Sequence, residues 1–126
     1  METKSTEAGE LEIWSPGDVS EALGAGRIVL IDVRTPQEYV HEHIPGAMLL
    51  PMQDFEATFL PDGDKPIVLH CGSGMRSEKM ARKVLDAGAE RVAHMDGGMG
   101  AWKEAGLGYV GTDPATGAPK PMSKGS

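Results

Sequence analysis

Apolar and polar positions divide the chain into short strand-like runs and longer amphipathic segments. Continuous apolar runs rich in β-branched residues, the pattern of strands covered on both faces, occupy residues 27–33, 47–51 and 65–71. A weaker fourth run covers residues 91–96. The pattern therefore predicts four strands that belong to the interior of a sheet.

Helix signals lie between these runs. Ser15 and Thr35 are predicted N-caps, because a proline at the first helical position follows each of them, and Glu38 stands three residues after Thr35 as in a capping box. Helices are predicted over residues 15–26, 35–43, 53–60, 77–88 and 98–106. Strands separated by helices indicate an α/β fold with a mostly parallel sheet.

The two ends of the chain show neither the apolar pattern of a strand nor that of a helix. Residues 1–10 are polar and acidic, and we expect them to be mobile. Residues 111–126 are rich in glycine, proline, serine and threonine, and we expect a disordered tail. The predicted domain is therefore residues 11–110.

Composition limits the classes of function. With 126 residues, 40% of them apolar, the chain suits one globular domain. A single cysteine forms no internal disulfide, and neither a secretory signal nor a run of membrane-spanning length is present, so we expect a cytoplasmic protein without a membrane partner. A net charge of -7 argues against binding to nucleic acid. Yet residues 71–83 carry four basic side chains against one acidic side chain, a segment that would attract an anion.

The only cysteine, Cys71, lies in the loop between the run at 65–71 and the helix at 77–88. The carboxyl ends of central strands are where open α/β folds bind ligands. Gly72 and Gly74 permit positive φ angles, so that backbone N–H groups and the helix N-terminus could surround the sulfur, and Arg76 adds a full charge. These surroundings predict a reactive thiolate. The alternative is a buried cysteine that packs as a small apolar side chain.

Three motifs in order resemble the single-domain rhodanese family of thiosulfate or persulfide sulfurtransferases. They are "IDVRTPQEYVHEHIPGAMLLP" (31–51), "HCGSGMRS" (70–77) and "MDGGMGAWKEAGL" (95–107), and the likeness extends over about residues 13–108. The resemblance implies a rhodanese-like three-layer fold, in which helices flank both faces of a mostly parallel sheet of about five strands. It also implies that Cys71 is the nucleophile and carries sulfur as a persulfide.

The resemblance assigns roles to the loop and to two residues outside it. The loop that holds the sulfur and the substrate consists of Gly72, Ser73, Gly74, Met75, Arg76 and Ser77. Arg76 is expected to bind the anionic end of the donor. Asp32, with Arg34 nearby, is expected to support the loop, and we expect Arg34 to form an ion pair with Glu38.

Three histidines have less direct interpretations. His70 precedes the nucleophile, but alternation along a strand turns its side chain to the opposite face, so we expect a structural role. His41 and His43 stand two apart and share no helix face, so neither a metal site nor a cofactor is expected. Glu42 departs from the family, which usually has glycine at this position.

The expected reaction moves sulfane sulfur from thiosulfate or a related persulfide donor to cyanide or a thiol through a Cys71 persulfide, in a ping-pong scheme. No second cysteine can take over the sulfur, so the acceptor comes from outside the chain, and it could be a protein. Two alternatives remain. One is a non-catalytic regulatory rhodanese module, although such modules often lack the cysteine. The other is a cysteine-dependent phosphatase or arsenate reductase, whose loop is one residue longer than the four residues between Cys71 and Arg76.

Overall fold

Strands and helices alternate along the chain, as the apolar pattern predicts. The computed structural model describes residues 1–123. The strands are β1 (Glu2–Ser5), β2 (Glu10–Trp14), β3 (Val29–Asp32), β4 (Met48–Leu49), β5 (Ile67–His70), β6 (Arg91–Met95), β7 (Tyr109–Thr112) and β8 (Pro119–Met122). The helices are α1 (Pro16–Gly24), α2 (Pro36–His41), α3 (Met75–Asp86) and α4 (Gly98–Glu104).

One six-stranded sheet organises the domain in the order β1-β2-β6-β5-β3-β4. Only β1 runs antiparallel to its neighbour, and the other pairs are parallel, so the predicted α/β class is confirmed. The register pairs Asp32 of β3 with His70 of β5. The carboxyl ends of these two central strands, where Arg34 and Cys71 follow, therefore lie side by side.

Two apolar cores cover the two faces of the sheet, which makes three layers. Leu69 and Cys71 pack with α3 on one face, whereas Val68 packs with α1 and α4 on the other. This alternation follows from the two-residue period of a strand. Because both faces are covered, β3 and β5 consist of continuous apolar runs rather than alternating ones.

Both chain ends contain paired strands, which corrects the expectation of ends without regular structure. Residues 2–5 form β1 and add an antiparallel edge strand to β2, although all four side chains are exposed. Backbone pairing needs no apolar side chain, so hydrophobic periodicity could not reveal it. The predicted tail forms much of the β7–β8 hairpin, and its last residues, 124–126, lie outside the described residues.

Helix boundaries follow local signals with two exceptions. Ser15 accepts a hydrogen bond from the Asp18 N–H, and Thr35 forms the complete capping box with Glu38, as predicted. The expected helix at 53–60 is instead two 3-10 turns. In addition, α3 begins at Met75 rather than Ser77, so the second half of the cysteine loop is the first turn of a helix.

Candidate active site

The sulfur of Cys71 lies among hydrogen-bond donors at the junction of β5 and α3. The Gly74 N–H donates to Sγ at 3.0 Å, and the Ser77 N–H donates at 3.4 Å. The Ser77 hydroxyl oxygen is 3.6 Å from Sγ. Cys71 itself is buried. The loop therefore places the N-terminal amides of α3 around one atom, as the glycine-rich sequence predicts.

Two glycines hold this loop in shape by different means. Gly74 has a φ of 104°, a left-handed conformation that lets its N–H turn toward the sulfur. Gly72 does not have a positive φ, contrary to expectation. Its lack of a side chain instead leaves room for Arg76, whose Nη2 would lie 3.1 Å from a Cβ at this position.

The start of α4 closes the loop from the other side. The Met99 N–H donates to the Cys71 carbonyl at 2.7 Å, and the Gly100 N–H donates to the Gly72 carbonyl at 3.1 Å. A Cβ on Gly98 would clash with that Cys71 carbonyl oxygen and with the Gly72 backbone, so any side chain there would displace the loop. Gly98 therefore supports the loop, and the only sign of it in the sequence is the Gly97–Gly98 pair within the third motif.

The donors change the acidity of the thiol. Burial raises the pKa of Cys71, but hydrogen bonds from the Ser77 amide and hydroxyl and from the Gly74 and Ser73 amides outweigh burial. The net pKa of Cys71 therefore lies below its usual value. A thiol with a lowered pKa forms its thiolate more readily, and the thiolate is the form suited to nucleophilic attack.

Arg76 reaches back across the loop to Glu38 of α2. Its Nη1 donates to Glu38 Oε1 at 2.7 Å, and its Nη2 donates to Oε2 at 2.9 Å. This bidentate pair lowers the pKa of Glu38 to about 2, so the carboxylate remains charged near neutral pH. The prediction of an ion pair between Arg34 and Glu38 is wrong, because Arg76 binds the Glu38 carboxylate and Arg34 binds Asp32.

Glu38 is the site residue that sequence reasoning did not identify. Its capping-box spacing was recognised, and the structure confirms that role through the Thr35 amide, which donates to Glu38 Oε1 at 3.2 Å. The same carboxylate also anchors Arg76, which is distant in sequence. A local motif gave no indication of this second partner.

Asp32 and Arg34 form a buried unit at the carboxyl end of β3. The Arg34 Nε and Nη2 donate to the Asp32 carboxylate at 2.8–3.1 Å, and the Arg34 backbone N–H donates at 2.9 Å. Arg34 also donates to the Glu42 carbonyl at 2.7 Å. These contacts connect the end of β3 to the turn after α2, and a role of the pair in supporting the loop 72–77 stays a prediction.

His70 lies beside this unit, fully buried. Its Nε2 is 3.5 Å from Asp32 Oδ2, and neither ring nitrogen makes a hydrogen bond among the described residues. Burial lowers the pKa of His70, against the opposing attraction of Asp32, so the ring is neutral near pH 7. Its backbone position directly before Cys71 does not bring its ring to the sulfur, as strand alternation predicts.

The outer side of the loop borders a small open cavity. Met75 is 81% exposed at its rim. The cavity measures about 280 Å³ and is lined by Ser73, Gly74, Met75, Glu78, His94 and Asp96. It provides space beside the loop for part of a substrate, although Cys71 is not among its lining residues.

Glu42 fits its position without strain. Its φ of -159° is extended, so the turn does not require the glycine usual in the family. The Glu42 carboxylate accepts a hydrogen bond from Lys103 at 2.9 Å and thereby connects α2 to α4.

His43, one of the two histidines considered above for a metal site, stacks on Tyr39 with ring centroids 4.1 Å apart. Within residues 1–123, no group of three acidic, histidine or cysteine side chains is placed to hold a metal ion.

Among the helices that the structure describes, none combines the length and the apolar character needed to cross a membrane. This finding concerns residues 1–123 alone.

Comparisons with known proteins agree with the three motifs. The rhodanese-like domain family matches residues 15–105. Over 102 residues, the chain is 42% identical to an uncharacterized protein of Synechocystis sp., with coverage of 80% of this chain and 57% of that protein. Over 87 residues, it is 37% identical to thiosulfate sulfurtransferase GlpE of Pseudoalteromonas translucida, with coverage of 68% of this chain and 82% of that protein. The chain thus spans little more than half of the Synechocystis relative.

Solved structures show the same architecture. A rhodanese-related protein from Thermoplasma volcanium superimposes with a TM-score of 0.69 at 24% identity, covering 79% of this chain and 97% of that one. This likeness confirms the fold. The family match contains the Cys71 loop, the Asp32–Arg34 pair and the close approach of Gly98. The chain therefore belongs to the rhodanese-like domain family.

Proposed function

We propose that this protein is a sulfurtransferase in which Cys71 carries sulfane sulfur as a persulfide. One observation supports this proposal above the others: the Cys71 sulfur receives N–H donors from Gly74 and Ser77 at 3.0 and 3.4 Å. The same donors that lower the thiol pKa would stabilise the negative charge of a persulfide. The names of relatives such as GlpE agree with a transferase role.

In the first half-reaction, the Cys71 thiolate attacks the sulfane sulfur of thiosulfate or a related persulfide donor. A sulfur–sulfur bond forms to Cys71 Sγ, the bond between the sulfane sulfur and the donor breaks, and sulfite or a thiolate leaves with the electron pair. The loop 72–77 binds the transferred sulfur. Arg76 contributes positive charge, although Glu38 partly neutralises it.

In the second half-reaction, an acceptor thiolate or cyanide attacks the outer sulfur. The persulfide bond breaks and restores the Cys71 thiolate, which completes a ping-pong cycle. Cys71 is the only cysteine of the chain, so the acceptor belongs to another molecule, either a small thiol or a protein thiol. The free thiol suits a reducing compartment, and we therefore place the activity in the cytoplasm.

Loop length argues against oxyanion chemistry. Only Gly72, Ser73, Gly74 and Met75 separate Cys71 from Arg76, and the ring of donors is already within 3.0–3.6 Å of a single sulfur atom. A tetrahedral phosphate ester needs a wider ring. We therefore favour sulfur transfer over the phosphatase alternative.

Mass spectrometry after incubation with thiosulfate tests the proposal. We expect Cys71 to gain the mass of one sulfur atom and to lose it again on addition of cyanide. Cys71→Ser should show neither change and no thiosulfate:cyanide activity, because a hydroxyl forms no stable persulfide. Wild-type protein that remained unmodified by thiosulfate and by a low-molecular-weight persulfide would favour a non-catalytic module.

A further inference from the structure

A buried histidine that the proposed mechanism does not use lies within reach of the active-site sulfur through one hydroxyl. His94 of β6 is 4% exposed, and its Nδ1 is 3.1 Å from Ser77 Oγ. Ser77 Oγ is in turn 3.6 Å from Cys71 Sγ. These three side chains form a continuous series of polar atoms from β6 to the sulfur.

The other ring nitrogen indicates which tautomer occupies the site. Nε2 of His94 is buried without a hydrogen-bond partner among the described residues, and Glu78 Oε1 lies 3.9 Å from it. A carboxylate at that distance favours a proton on Nε2. Nδ1 is then an acceptor for the Ser77 hydroxyl proton.

Ser77 has a single hydroxyl proton and two acceptors for it. Ser77 Oγ lies 3.2 Å from the Gly74 carbonyl and 3.1 Å from His94 Nδ1. When Ser77 donates to either acceptor, its oxygen can accept the Cys71 thiol proton. When Nδ1 carries a proton, the direction reverses, and Ser77 can donate its own proton to the sulfur.

We propose that His94 is a positioning residue that controls the protonation of Cys71 through Ser77. The assignment rests on the proposed function only in treating Cys71 as the reactive group. As the S–H bond of Cys71 breaks, its proton binds Ser77 Oγ, and the original Ser77 proton passes to His94 Nδ1. The products are a thiolate, a neutral Ser77 hydroxyl that donates to it, and an imidazolium. No electrons are transferred.

Charged groups around His94 shift its pKa in both directions. Glu78 of α3 and Asp96 after β6 favour the imidazolium, whereas Lys4 of β1 and Arg82 of α3 oppose it. Burial exceeds all of these effects and lowers the pKa of His94, which favours the neutral ring. Formation of the Cys71 thiolate opposes this lowering of the His94 pKa, because the thiolate and the imidazolium stabilise each other across Ser77.

Rates of Cys71 alkylation by iodoacetamide across pH test this assignment without any sulfur transfer. His94→Asn retains a group that can hydrogen-bond Ser77 but cannot titrate. We expect the wild-type profile to show two inflections, and we expect His94→Asn to show one, with the apparent Cys71 pKa raised by about one unit. His41→Asn, at an exposed histidine, is the matched control and should keep the wild-type profile.

A reciprocal measurement requires no substitution at position 94. By linkage, a thiolate that is favoured by protonated His94 must raise the His94 pKa equally. We therefore expect the NMR-monitored titration of His94 in wild type to show a second inflection at the Cys71 pKa, and we expect that inflection to be absent in Cys71→Ser. An unchanged alkylation profile in His94→Asn, or an unchanged His94 titration in Cys71→Ser, would overturn the assignment. Because neither readout involves a sulfur donor, failure of the proposed transferase activity would be seen separately.

Discussion

Two arginine–carboxylate pairs, one that follows β3 and one that joins α2 to α3, differ in burial and in sequence separation. Arg34 and Asp32 are two residues apart, with side chains 4% and 0% exposed. Arg76 and Glu38 are 38 residues apart, with side chains 35% and 36% exposed. Both pairs use two guanidinium nitrogens on one carboxylate, so geometry alone does not distinguish them.

Burial is what separates their roles. The Asp32–Arg34 pair is withdrawn from water, and each partner compensates a charge that the interior would otherwise exclude. Arg76 keeps contact with solvent, because its side chain is 35% exposed. From this difference we propose that the first pair maintains the fold, and that Arg76 can exchange part of its bonding to Glu38 for a bond to an anionic donor.

The largest expected effect comes from breaking the buried pair. Arg34→Met should reduce the free energy of unfolding by about 3–5 kcal/mol, because it leaves the Asp32 carboxylate buried without its charge partner. Urea denaturation followed by circular dichroism measures the change. The double variant Asp32→Asn/Arg34→Met should recover part of the loss. A single variant as stable as wild type would mean that the pair does not support the fold.

A smaller effect, on reactivity rather than stability, is expected at the exposed pair. Arg76→Ala should cost no more than about 1 kcal/mol of stability. It should slow the reaction of Cys71 with thiosulfate by about 1.5–3 kcal/mol in activation free energy, the range of a charge-assisted hydrogen bond.

Stopped-flow measurement of the first half-reaction quantifies that loss. Arg76→Lys should restore part of the rate, because the charge remains although the bidentate geometry does not. Lys79→Ala removes the same charge from an exposed position on α3 and should react nearly as wild type. If Lys79→Ala and Arg76→Ala slowed the reaction equally, only the general charge of the segment would matter.

The smallest expected effect is the pH dependence of the stability that the partly exposed Arg76–Glu38 pair contributes. The folded pKa of Glu38, about 2, lies below its ordinary value of 4.5. Its stabilisation is therefore complete above pH 4.5 and is lost as the pH falls toward 2. Solvent screening of this half-exposed pair limits the loss to about 1 kcal/mol.

Glu38→Gln should flatten this part of the stability curve. Thermal unfolding between pH 5 and 2 compares the two proteins. Gln37→Glu, which adds a carboxylate beside Glu38 without an assigned arginine partner, provides a control for nonspecific charge effects. Parallel curves for wild type and Glu38→Gln would show that Arg76 contributes no stability through Glu38.

The central strands of the sheet and two helix starts could be predicted, because their signals lie within a few residues of one another. The runs that became β3 and β5 carry enough apolar residues to identify buried parallel strands, and the caps of α1 and α2 depend on residues within one turn. By contrast, β1 has four exposed side chains, and β8 contains two prolines. Each pairs through backbone groups with its neighbour in sequence, β2 or β7, and such pairing leaves no mark on the apolar pattern.

From the sequence alone, Cys71 could be placed at a strand-to-helix junction with Gly74, Arg76 and the amides of the following helix. All of these lie within a few residues of the sulfur, so chain geometry brings them together. Glu38 and His94 are 33 and 23 positions from Cys71. Only the packing of α2 and β6 against the loop decides that Glu38 holds Arg76 and that His94 contacts Ser77. Charge pairing and proton relay depend on distances of about 3 Å between residues far apart in sequence, and tertiary structure alone determines such distances.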